Sequence, residues 1–199
     1  MFSHYNFSFL LSAVLLMTSS YAFGRDPLLV GERVSNIIFT DIEGHQANLD
    51  QYADRIIILS VADRTSAQRL QEWMGPANLS LFKDKPDLRI AYVNIADVTG
   101  VPSLFRGFVR RVIKSLSRSA QKRLVESYQE HNIDLNEQQQ VLHLIPDWKG
   151  YYLDYLGLDG AEEYACWVIH QGVVIASFTE RTPNIKNQYV SVLKSLTAI

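Results

Sequence analysis

The sequence has one cysteine, Cys166, in 199 residues. An intrachain disulfide is therefore excluded, and so is a dithiol redox centre built from this chain alone. An excess of one charge is also missing: 19 Lys and Arg stand against 21 Asp and Glu, a net charge of -2, which does not indicate a globally basic nucleic-acid binder. The almost unbroken apolar run Phe7 to Met17 falls short of the roughly 20 residues needed to span a bilayer. None of the five histidines forms an i, i+4 metal-ligand pair, and no metal or cofactor is expected. What is present, 47% hydrophobic and 20% charged residues, suffices for one domain with a real core.

The apolar run is followed by Ser20 and Ala22, the small-x-small pattern that a signal peptidase accepts. We expect residues 1–22 to be an export signal cleaved after Ala22, and residues 23–199 to form one periplasmic or secreted domain. Met1 to Asn6 lacks the Lys or Arg with which such signals usually begin. No cysteine follows the run to carry a lipid anchor, and no later segment is apolar enough to cross a membrane.

Period and punctuation predict an α/β domain. Val34 to Thr40 reads as a strand, Glu43-Gly44 as a turn and Gln46 to Leu49 as the returning strand. Arg55 to Val61 and Leu88 to Ala96 have the continuous apolar pattern of strands buried on both faces. Between them a helix capped by Thr65 or Ser66 runs to an interruption at Gly75-Pro76. Pro102 opens a long helix whose apolar stripe is Leu104, Phe105, Phe108, Val109, Val112, Ile113 and Leu116. Val141 to Ile145 is a short strand, Tyr151 to Leu156 a helix, Ala165 to Phe178 a hairpin turning at Gln171-Gly172, and Pro183 starts the last helix.

This order resembles a thioredoxin-like fold, a central mixed sheet flanked by helices with an N-terminal β-hairpin added. Val30-Gly31-Glu32-Arg33-Val34, Phe39 to Gly44 and Leu49 to Tyr52 resemble the opening segment of redoxins and exported TlpA-like proteins. Leu144 to Gly150 and Trp167 to Gly172 resemble the later strands of that family. The resemblance implies a Cys-x-x-Cys after the strand at Arg55 to Val61, where the helix N-terminus would stabilise a thiolate. Here that position reads Ala62-Asp63-Arg64-Thr65-Ser66-Ala67-Gln68-Arg69. A peroxiredoxin-type nucleophile and a copper-binding Cys pair are equally absent, and Tyr164-Ala165-Cys166 stands where the family has a cis-proline. The Arg-Thr-Ser-Ala run resembles the exported YtfJ-type branch, which also lacks the redox cysteines.

Four features remain as candidates. Arg64, Thr65, Ser66 and Arg69 could hold an anion at the helix start, although capping alone explains the hydroxyls. Cys166 could act as a redox thiol with a partner thiol, although beside Trp167 it reads as a small buried hydrophobe. Arg106, Arg110, Arg111, Lys114, Arg118, Lys122 and Arg123 make one acid-free basic helix, suited to weak contact with an anionic membrane surface or to a solvated face on a core-packed helix. Asn78-Leu79-Ser80 matches a glycosylation acceptor. No residue is assigned a catalytic role. The expectation is a non-catalytic module recognising a protein or small anionic ligand through Arg64 to Arg69 and Asp159 to Tyr164; the alternative is an oxidoreductase or peroxidase using Cys166.

Overall fold

The structure is a computed structural model describing residues 27–85, 87–131, 133, 140–161 and 163–196. The expected signal segment and its cleavage point lie outside the described residues. The elements are β1 (Ile38–Thr40), β2 (Gln46–Asn48), β3 (Ile56–Ala62), α1 (Arg64–Asp84), β4 (Ile90–Asp97), α2 (Arg106–Glu130), β5 (Gln140–Asp147), α3 (Tyr151–Leu156), β6 (Ala165–His170), β7 (Val173–Thr179) and α4 (Ile185–Leu196). β1 and β2 form the separate hairpin, and the main sheet runs β5-β4-β3-β6-β7. β3, β4 and β5 are parallel, while β6 is antiparallel to β3 and β7.

β3 is apolar except at Ser60, whose hydroxyl donates to Asn94, because both of its faces are covered. Ile56 and Ile58 pack toward Leu70, Met74, Ala77, Leu81 and Phe82 of α1 and toward Tyr189 and Leu193 of α4. Ile57, Leu59 and Val61 face Phe39, Leu49 and Tyr52 of the hairpin region and Leu153 and Leu156 of α3. Each such side chain contributes about 1.5–3 kcal/mol by leaving water.

Four expectations change. Asn36 takes a left-handed φ of 59°, which ends the strand expected at Val34; β1 begins at Ile38, and Arg33 bridges Val173 instead. α1 does not stop at Gly75-Pro76 but continues to Asp84. Pro76 deprives the Glu72 carbonyl of its helical donor, a penalty of about 3 kcal/mol, yet Ala77, Leu81 and Phe82 beyond it are fully buried and outweigh it. Asn78 therefore lies buried in this helix and accepts a hydrogen bond from the Tyr189 hydroxyl at 2.8 Å, so it offers no glycosylation acceptor. The last helix begins at Ile185 rather than Pro183, because left-handed Asn184 precedes it.

A buried polar network ties the hairpin to β5. Oδ1 of Asp41 accepts the amides of Glu43, Gly44 and His45 at 2.9–3.0 Å and so shapes the β1–β2 turn. Its Oδ2 lies 3.0 Å from Nδ1 of His143 on β5, whose Nε2 is 2.6 Å from the Tyr52 hydroxyl. Burial alone would raise the Asp41 pKa, but hydrogen bonds from His143 and His45 together hold it below its ordinary value.

Candidate functional site

The end of β3 delivers the chain to α1 at the position where the resemblance implies a dithiol. Asp63, not Thr65 or Ser66, is the N-cap: its Oδ1 accepts the amides of Thr65 at 2.8 Å and Ser66 at 2.7 Å. Ser66 answers from the third helical position, where its Oγ accepts the Asp63 amide at 2.8 Å and lies 2.7 Å from the Ala161 carbonyl oxygen. The two residues form a capping box, which sets the start of the helix. Burial would raise the Asp63 pKa, but the Ser66 and Thr65 hydrogen bonds and the nearby Arg69 charge outweigh it and leave the carboxyl below its ordinary value. A carboxylate thus occupies the amides that in a dithiol protein would stabilise a thiolate.

The four loop candidates do not converge. Arg64 and Thr65 are exposed, Ser66 is fully buried, and Arg69 is ion-paired with Glu180 just after β7. The hydroxyl of Ser66 has Asp63 and Ala161 as partners, a structural setting rather than that of an activated nucleophile.

Cys166 sits on β6 opposite Ser60 of β3, and its exposure is 0%. It belongs to the core beneath α1 and α4, with Leu70, Met74 and Tyr189 in the same cluster. Burial there pushes its thiol up to about 12.

A cavity of about 470 Å³ lies between the start of α2 and the β5–α3 connection. It is lined by Arg106, Arg110 and Lys149 together with Trp148, Tyr151 and Tyr152. The Arg106 guanidinium stands 5.8 Å over the Trp148 ring and donates to the Trp148 carbonyl at 3.2 Å. Arg110 and Lys149 have no carboxylate partner among the described residues. Asp147 adds no free acceptor, because its two oxygens take the amides of Lys149, Tyr151, Tyr152 and Leu153. The cleft therefore presents cations beside aromatic faces.

The expected core packing of the α2 stripe is not what the structure shows. Leu104, Phe105, Phe108, Val112 and Leu116 are all exposed, from 40% at Val112 to 86% at Leu104. The opposite side meets the body: Arg106 touches Trp148, and Lys114 and Arg118 both pair with Glu43 in the β1–β2 turn. These bonds settle which face turns outward. Tyr128, near the C-terminal end, is buried and packs edge-on against Phe82 of α1 at 5.5 Å.

Comparison with solved structures gives BsSco, a member of the Sco family of cytochrome c oxidase assembly proteins in which a disulfide switch is identified. It is 12% identical, matches with a TM-score of 0.54, and covers 88% of this chain and 98% of that one. The fold is thioredoxin-like. A putative thiol:disulfide interchange protein DsbE from Chlorobium tepidum matches at 14% identity and TM-score 0.47, over 83% of this chain and 99% of that one. Peroxidoxin BcpB from Mycobacterium tuberculosis matches at 14% identity and TM-score 0.48, over 84% and 97%. No family profile and no curated protein matches the chain. The thioredoxin-like frame here carries a single cysteine, and it lies outside the β3–α1 loop.

Sequence reasoning missed Asp63 as the cap, although Asp63-x-x-Ser66 is a readable capping pattern. It also missed the cleft, whose residues come from segments about 40 positions apart. Among the described residues, no three metal-ligating side chains come together and no helix is long and apolar enough to cross a membrane.

Proposed function

We propose that the protein is an exported thioredoxin-fold binding module that works without thiol–disulfide chemistry and seats a small anionic, aromatic-bearing ligand in the cleft between α2 and α3. The supporting observation is the pairing of Asp63 with Ser66 at the start of α1 while the single thiol lies in the core. Thiolate attack needs an accessible sulfur whose negative form is stabilised. Cys166 has neither property. In the cleft, Arg110 and Lys149 supply charge with no carboxylate paired to them, the Asp147 oxygens being taken by backbone amides, and Trp148 and Tyr151 supply ring faces.

Insulin reduction and peroxide turnover by the wild type and by Cys166→Ser test the first half. Equal, background rates are expected; turnover that vanishes in the variant establishes the redox alternative. Titration with phenyl phosphate tests the second. Binding weakened about tenfold in Arg110→Gln/Lys149→Gln is the expected result, at about 0.7 kcal/mol or more per lost charge-assisted contact. Equal binding by wild type and variant removes the cleft as the seat.

A further inference from the structure

We infer that the exposed face of α2 docks on an anionic phospholipid surface. Leu104, Phe108, Val112 and Leu116 recur every four residues and fall with Phe105 on one side of the helix, a strip roughly 16 Å long from Phe105 to Leu116. At 100° per residue, Arg111 and Lys122 lie along one edge of that strip. No acid occurs between Arg106 and Val125. An apolar strip edged by long cationic side chains is the arrangement that sinks into the boundary between headgroups and acyl chains while the charges reach the phosphates.

The described residues leave this face open. Glu43 grips Lys114 and Arg118 from the body side, and the Arg106–Trp148 contact holds the start of the helix. Both contacts lie away from the apolar strip, so docking needs no rearrangement of the fold. The strip is a ridge: Leu104 and Phe105, in the short 3-10 turn before α2, are well exposed at its leading end. A bilayer accepts a convex apolar ridge without a matching groove. A second copy packed on the same strip would set two acid-free cation rows side by side, which charge repulsion opposes. Charge complementarity therefore selects the anionic lipid surface.

The test is sedimentation of the full chain with phosphatidylglycerol vesicles and with pure phosphatidylcholine vesicles. Residues 1–22 are common to every variant, so differences between variants report α2. Phe105→Ser/Phe108→Ser and, separately, Arg111→Gln/Lys122→Gln should each lower retention on phosphatidylglycerol by about tenfold, since each removes two membrane-directed groups. These side chains are exposed, and circular dichroism melting confirms that the variants fold. A local readout is Phe108→Trp, whose added fluorescence should be quenched by brominated phosphatidylglycerol. Equal retention of all variants, or an unquenched tryptophan at position 108 on vesicle-bound protein, overturns the inference. A lipid-free dimer abolished by Phe105→Ser/Phe108→Ser also overturns it, by assigning the strip to a second copy. So does binding to poly-glutamate that matches phosphatidylglycerol and survives loss of the two phenylalanines, because charge alone would then explain it.

Discussion

Asp41→Ala should destabilise the domain by about 2–4 kcal/mol, and the structure shows where that figure comes from. Oδ1 of Asp41 receives three turn amides, a cap comparable to a helix N-cap and worth about 1 kcal/mol. Oδ2 is the partner of Nδ1 of His143, and a buried polar nitrogen left without a partner costs about 1–3 kcal/mol. The His45 contact at 3.2 Å adds little, since that ring is 74% exposed. For a domain of this size the loss corresponds to a fall in Tm of about 5–15 °C. Urea melts followed by far-ultraviolet circular dichroism measure it. His143→Phe/Tyr52→Phe in the same background should recover part of the loss, because neither the ring nitrogens nor the Tyr52 hydroxyl is then left orphaned and a ring still packs against Phe39. A loss below about 1 kcal/mol, or a triple variant no more stable than Asp41→Ala, would refute the view that Asp41, His143 and Tyr52 form one satisfied unit.

Three further outcomes follow from the same structure. Alkylation of Cys166 in the folded protein at pH 8 should run at least about a thousandfold slower than in urea, since a rise from 9.0 to about 12 removes that much thiolate; comparable rates would show an accessible sulfur. Asp41 and Asp63 both have folded pKa values below the unfolded value of about 3.9, so the stability they add is complete above about pH 5 and is lost as pH falls through 4 and lower. An acid titration of Asp41→Asn/Asp63→Asn should be flatter over that window than the wild type, and an unchanged slope would contradict the assignment. Pro76→Ala should raise stability by about 1–3 kcal/mol by restoring the bond to the Glu72 carbonyl, measured as a higher urea midpoint; no gain would mean that the helix is already distorted to suit the proline.

The sheet was legible because β3 and β4 carry continuous apolar runs, Ile56 to Leu59 and Ile90 to Val93, the pattern of a doubly covered strand. The N-terminal hairpin was legible from Glu43-Gly44, and Gly44 does take a positive φ of 99°. Three features were not legible, each for a physical reason. Pro76 looks like a stop signal locally, but the buried face continuing through Ala77, Leu81 and Phe82 overrides it. An amphipathic stripe states that a face is apolar and leaves open what covers it, so the solvent-facing side of α2 could not be distinguished from a core-facing one. The Asp41–His143 and Arg110–Lys149 neighbourhoods join residues distant in sequence, and no local period encodes them.

One turn connects these features to what the protein presents. Asp41 fixes the β1–β2 turn by taking three of its amides, and that places Glu43 where it can hold Lys114 and Arg118 one helical turn apart. The grip turns one side of α2 inward and leaves Phe105, Phe108 and Leu116 outward. On the inward side, Arg106 and Arg110 come to stand beside Trp148 and Tyr152 at the cleft. The same helix thus carries both proposed surfaces, the cleft side and the apolar strip, on opposite sides, and a single carboxylate turn sets the angle between them. The start of α1 is closed, with Asp63 and Ser66 satisfying each other, whereas Arg110 on α2 and Lys149 beside it have no carboxylate partner among the described residues. Such groups lower their free energy by meeting anions from outside the chain, which is the physical basis for reading the scaffold as one that binds.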